Sequence, residues 1–125
     1  MAKIRVARER EKGGNPPRYY RRKYQKAVGQ KLPAAFDVHH LDLNWQNIAI
    51  ENLVAVPKKL HAEFHSVDKL IVHSGGEFYV ALHVIGRKHT VERLRRIAEQ
   101  MKAWLDYRDF LLGKMPLNIY NLKYD

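Results

Sequence analysis

The sequence predicts a small single domain of the α+β class, with a basic N-terminal arm and helix and a long C-terminal helix. Three observations predict it. The chain has 125 residues, enough for one hydrophobic core and not for two. Two short runs of β-formers, at 36–40 and 52–56, are followed directly by apolar residues at helical spacing. Charge is split unevenly: residues 1–32 hold eleven basic and two acidic side chains, and residues 33–125 hold twelve and eleven. The expected division is therefore a basic arm and helix over 1–32 and a domain body over 33–125. Within the body, a strand–strand–helix core covers 36–72 and a C-terminal strand and helix cover 77–125.

Residues 1–14 are charged, poor in apolar groups and end in Gly13 and Gly14, which suits an arm without a core of its own. Asn15 with Pro16 and Pro17 makes a helix entry, an asparagine cap followed by prolines in the first turn. The spacing predicts a basic amphipathic helix over 18–32. Tyr20, Tyr24, Ala27 and Val28 share one face, Gly29 weakens the helix and Pro33 ends it. Phe36 and Val38 alternate with polar neighbours as in a strand over 36–40. Residues 41–51 are polar and turn-like, and Leu53, Val54, Ala55 and Val56 make a second strand. Pro57 then opens a helix whose expected buried stripe is Leu60, Phe64, Val67 and Ile71. Ser74, Gly75 and Gly76 break the chain. Residues 78–85 read as a strand, and whether 70–73 pairs with it as a hairpin stays open. Thr90 is expected to cap the last long helix, with Glu92 in its first turn. Val91, Leu94, Ala98, Met101, Leu105 and Leu112 form its apolar side, and Gly113 and Pro116 stop it. The tail at 117–120 is expected to pack back as an extended segment.

Composition narrows the function. There are no cysteines, which excludes disulfides, thiolate chemistry, Cys-ligated zinc and iron–sulfur clusters. Residues 1–6 lack the apolar stretch of a signal peptide, and the densest apolar run, 78–82, is far too short for a bilayer. The expected class is a soluble, intracellular protein with no membrane partner. A net charge of +10 points to polyanions, nucleic acid ahead of a membrane surface. A merely solubilising tail is the plainer reading of the arm, and the interleaved tyrosines weigh against it.

Seven histidines are many for this length, and four are organised. His39 and His40 end the first strand. His61 and His65 are four apart, so they project from one helix face one turn apart. Neutral imidazoles at that spacing can converge on one divalent metal. Alone the pair is a weak signal; its neighbourhood strengthens it. Val38, His39, His40, Leu41, Asp42, Leu43 and Asn44 end the first strand and open the loop. Glu51, Asn52, Leu53 and Val54 lead into the second, and the helix carries His61, Ala62, Glu63, Phe64 and His65.

This β-β-α arrangement over residues 36–66 resembles the HNH endonuclease family, the ββα-metal nucleases. It is most like the small phage HNH and homing endonucleases, with a metal-site layout similar to that of the nuclease colicins. The resemblance implies a metal-dependent endonuclease that hydrolyses DNA phosphodiester bonds by nicking or double-strand cleavage. It implies His40 as the general base and Asn52 as the residue that ties the loop to the strand and orients the histidine segment. It implies His39, His61 and His65 as ligands of one divalent ion, Mg, Mn, Zn or Ni. Three neutral imidazoles favour zinc, nickel, cobalt or manganese over magnesium in affinity, and they leave a position open for phosphate or water. Successive strand residues point to opposite faces, so His39 and His40 must address one phosphate from two sides or the strand end must be irregular. Asp42 and Asn44 read as turn chemistry rather than as ligands.

The DNA partner would be held by Arg18, Arg21, Arg22, Lys23 and Lys26 of the basic helix and by Lys58 and Lys59 ahead of the metal helix. The resemblance further implies a phage-encoded protein in the cytoplasm of a bacterial host, as a monomer or a homodimer. Three other readings stand beside it: a non-catalytic nucleic-acid-binding protein that keeps the ββα-metal scaffold, a scaffold that binds zinc only to hold itself together, and a small inhibitor or accessory protein built on a degenerate nuclease, against which the completeness of the motif argues.

Overall fold

A computed structural model of the chain describes residues 17–81 and 88–124. Helix α1 (Pro17–Val28) buries Tyr24 and Val28 and half-buries Tyr20, while Ala27 stays exposed. It stops at Val28, short of the expected 32, because Gly29 adopts φ +75° and donates its N–H to the Gln25 carbonyl. The helix entry at Asn15 and Pro16 lies outside the described residues, as do 82–87 and His83.

Strands β1 (Phe36–His40) and β2 (Leu53–Pro57) pair antiparallel, with His40 opposite Leu53, Val38 opposite Ala55 and Phe36 opposite Pro57. A 3-10 turn at Ile50–Asn52 feeds β2. The unbroken apolar run of β2 has a physical reason: both faces of this two-stranded sheet are covered. Leu53 and Ala55 point to α1 and join Tyr24, Val28 and Val38 in one core. Val54 and Val56 point the other way and join Leu60, Phe64, Leu94, Ile97, Met101 and Leu105 in a larger one. Helix α1 is therefore a layer of the domain, and no break in packing falls at residue 32.

Helix α2 (Lys58–Ser66) follows β2 directly and buries Leu60 and Phe64. Val67 and Ile71 are buried as expected, but not as part of the helix stripe. The helix ends at Ser66, and Ile71 opens β3 (Ile71–Ser74). Strand β3 pairs with β4 (Glu77–Val80) across Gly75 and Gly76. Both glycines have positive φ, +58° and +81°, as a two-residue hairpin turn requires. The hairpin left open by the sequence is thus formed, and the described part of the second strand is shorter than the expected 78–85.

Helix α3 (Lys88–Leu111) runs under the sheet and buries Val91, Leu94, Ile97, Ala98, Met101 and Leu105. It begins two residues before Thr90, so Thr90 lies inside the first turn and is no cap. Leu112 falls beyond its end, and Gly113 turns the chain at φ +77°. The tail is helical, not extended: α4 (Leu117–Tyr124) lies against α3. It is held by a polar anchor that periodicity does not reveal. Asp106 of α3 is 1 % exposed and accepts hydrogen bonds from Lys123 Nζ at 3.0 Å and from the Tyr124 hydroxyl.

Candidate metal centre and active site

Register decides where each histidine goes. Asp37 and His39 face the same way as Val56 and Val54, toward α2. Val38 and His40 face the same way as Ala55 and Leu53, toward α1. The expected conflict between neighbouring strand residues is therefore real in the structure. His39 packs among His61, His65 and Phe64, with ring centroids 5.2, 5.1 and 4.9 Å away. His40 packs edge-on against Tyr20 of α1, with centroids 4.7 Å apart.

The structure brings three of the four organised histidines together. One donor atom each from His39, His61 and His65 lies within 4.8 Å of the others, a spread that suits a single ion. His39 is 1 % exposed, and neither of its ring nitrogens has a hydrogen-bond partner among the described residues. A buried imidazole with both nitrogens unpaired is costly unless something else satisfies it. Burial above all, and then the nearby charges of His61, His65, His40 and His73, hold its pKa down to about 3, so it is neutral at neutral pH. The Nε2 atoms of His61 and His65 are 2.9 Å apart. Two imidazole lone pairs cannot face each other so closely without a proton or a cation between them. Orphaned His39 and this close pair make the donor set fit a divalent cation.

Two residues at the site carry no expectation from the sequence. Asp37 places Oδ2 3.0 Å from His61 Nδ1, and Asp68 places Oδ2 3.0 Å from His65 Nδ1. The signals were present. Asp37 is two residues before His39, hence on the same face of β1, and Asp68 is three after His65.

His40 ends β1 and is 8 % exposed, and its Nε2 has no partner among the described residues. Burial, opposed by Asp42 and aided by His61, sets its pKa below the ordinary histidine value. Beyond it the loop is tied down by amides. Asn52 accepts from the Asp42 N–H at 3.0 Å and donates to Asp42 Oδ1 at 2.9 Å and to the Asn47 carbonyl at 2.9 Å. The Asn52 carbonyl accepts from the Leu41 N–H at 2.8 Å. Asp42 also accepts from the Asn44 N–H and the Asn47 side chain, which makes it turn chemistry. Burial pushes its pKa up, but these bonds from Asn47, Asn44 and Asn52 outweigh burial and leave its carboxyl below the usual range.

Among the expected DNA contacts, Arg18, Arg22, Lys26, Lys58 and Lys59 are exposed and Lys23 is half-buried. Arg21 differs. Its guanidinium donates to the carbonyls of Phe36 at 2.6 Å, Pro33 at 2.6 Å and Leu32 at 3.2 Å. Those bonds staple α1 to the start of β1, so Arg21 has a task in the fold. His73 packs against Phe78 at 4.9 Å and lies outside the three-histidine group.

Among the described residues no helix is long and apolar enough to cross a membrane. Comparison with curated proteins finds no match, nor does comparison with solved structures. A family model described as HNH endonuclease matches residues 21–63. That stretch takes in most of α1, both strands of the first sheet and α2 as far as Glu63. It includes His39, His40, Asn52 and His61 and stops short of His65. Over residues 21–63, the part that builds the strand–strand–helix unit and most of its histidine site, the chain is similar to the HNH endonuclease family.

Proposed function

We propose that the chain is a metal-dependent endonuclease that hydrolyses phosphodiester bonds in DNA. The observation that carries this reading is the convergence of His39, His61 and His65 on one point, with His40 next in the chain and on the opposite face. Strand β1 ends at His40. A phosphate at that end can meet rings from both faces, which is how two adjacent strand residues serve one bond.

His40 is the general base. Burial disfavours its charged form, so at neutral pH the ring is free to take the proton of an attacking water. Asn52 is a positioning residue: it stays neutral at every working pH and pins the loop that follows His40. His39, His61 and His65 would hold one divalent ion, with zinc, nickel, manganese and magnesium as candidates. When bound, that ion supplies charge neutralisation at the phosphate and stabilises the leaving 3′ oxygen. Neutral ligands leave the whole of its charge for that task. Arg18, Arg22, Lys23 and Lys26 of α1 and Lys58 and Lys59 of α2 grip phosphates without reading sequence. A monomer carries one such site and nicks one strand; a homodimer could cut both. The resemblance to small phage enzymes supports action in the cytoplasm of a bacterial host.

The test is incubation of supercoiled plasmid with the protein across a series of divalent ions and a chelator. Relaxed circles with at least one ion, and none with chelator, are expected. Binding of DNA without cleavage under every ion would favour the non-catalytic scaffold instead.

A further inference from the structure

We propose that Asp37 and Asp68 are positioning residues for the metal centre. They fix His61 and His65 as Nδ1–H tautomers, so that both Nε2 lone pairs face one point. This rests on the metal site of the proposed function and names the groups that shape it.

The chemistry follows from the donor inventory. An ionised carboxylate can only accept a hydrogen bond. Asp37 Oδ2 lies 3.0 Å from His61 Nδ1, so the proton of a neutral ring must sit on that nitrogen. Asp68 Oδ2 stands in the same relation to His65 Nδ1. Each ring then has its lone pair on Nε2, and those two atoms are the ones found 2.9 Å apart. A ring with the other tautomer would turn an N–H toward the ion and could not bind it.

The two anchors come from separate elements. Asp37 sits on β1 beside His39, so this strand supplies one ligand and the orienting partner of a second. Asp68 lies just past the end of α2 and reaches back three residues to His65. The helix histidines are therefore held from the strand side and from the turn side. Ion pairing alone is a poor explanation for these contacts. Asp37 is 36 % exposed and His65 is 42 % exposed, and pairs that open to water add little to folding. Carboxylates behind metal-binding histidines typically change metal affinity by about 10–100-fold.

The experiment uses the full chain and Zn2+ as the probe. Calorimetric titration compares the wild type with Asp37→Ala, Asp68→Ala and the near-isosteric Asp37→Asn and Asp68→Asn. Nitrogen-15 spectra of the metal-free proteins report each ring's tautomer. Each alanine variant is expected to weaken Zn2+ binding by about 10–100-fold. Asp37→Ala should shift the tautomer of His61 only, and Asp68→Ala that of His65 only, with backbone spectra unchanged. The asparagine variants, which keep the shape, should fall between. Variants that bind Zn2+ as the wild type does, with unaltered tautomers, would overturn the inference and leave the nuclease reading standing. A wild type that binds no divalent ion would remove both.

Discussion

Leu43 shows how a single residue can be strained beside a site. It lies three residues after His40, is 52 % exposed and holds φ +63°, where a β-carbon is disfavoured. Leu43→Gly should therefore stabilise the fold by about 0.5–1 kcal/mol, read as a higher urea midpoint. Loss of stability would show that the Leu43 side chain has packing the backbone argument misses. The histidines give a pH signature. His39, His40 and His73 all have pKa values lowered by burial in the folded protein. Between the unfolded value of about 6.5 and those lower values, the unfolded chain binds more protons. Stability is thus complete above about pH 6.5 and drains away as pH falls toward 3, the value His39 reaches. Metal-free protein in chelator should show its urea midpoint falling steadily from pH 7 to pH 4, and a flat profile would contradict this. At this scale spacing put His61 and His65 on one helix face, and the resemblance to the HNH family added His39, which the structure brings to the same point. The sequence offered Arg21 as a DNA contact and did not show its carbonyl partners, which depend on how α1 meets β1.

The elements were legible wherever local pattern decides. Strand β1 follows from alternation, β2 from a short run of β-formers, and helices α2 and α3 from three-to-four spacing. The pattern erred where tertiary contacts decide. Val67 and Ile71 continue the α2 spacing, yet the chain leaves the helix at Ser66 and places them in the same core by another route. Helix α4 has no aliphatic stripe to betray it, with Leu117, Ile119 and Leu122 all exposed, and it is held by the Asp106 anchor and by Tyr120 stacked on Phe110 with ring centroids 5.0 Å apart. Arg108 is a second such anchor. It is buried on α3 and donates to the carbonyls of Glu51 and Leu53, both at 3.0 Å, where the 3-10 turn enters β2. Arg108→Ala should cost about 2–4 kcal/mol in urea unfolding, because two carbonyls lose a charged donor. A cost below about 0.5 kcal/mol, the size of an ordinary surface change, would show that they find other partners.

Across the whole molecule, charge and core meet in α1. Tyr24 and Val28 of this basic helix belong to the core, and residues 1–16 ahead of it carry five basic and two acidic side chains. Removing 1–16 should leave Zn2+ affinity intact and lower the salt slope of DNA binding by about 3–4. An unchanged slope in a salt titration would show that these charges do not engage phosphate. Under the proposed function two sets of histidines have separate tasks, His40 for the proton and His39, His61 and His65 for the ion. The most direct measurement is the single-turnover plasmid nicking rate of the wild type, His40→Ala and His61→Ala, with Zn2+ affinity measured on each. His40→Ala should keep its Zn2+ affinity and lose about 100-fold or more in rate, and His61→Ala should lose both. Undiminished nicking by His40→Ala, or no nicking by the wild type with any divalent ion, would contradict it.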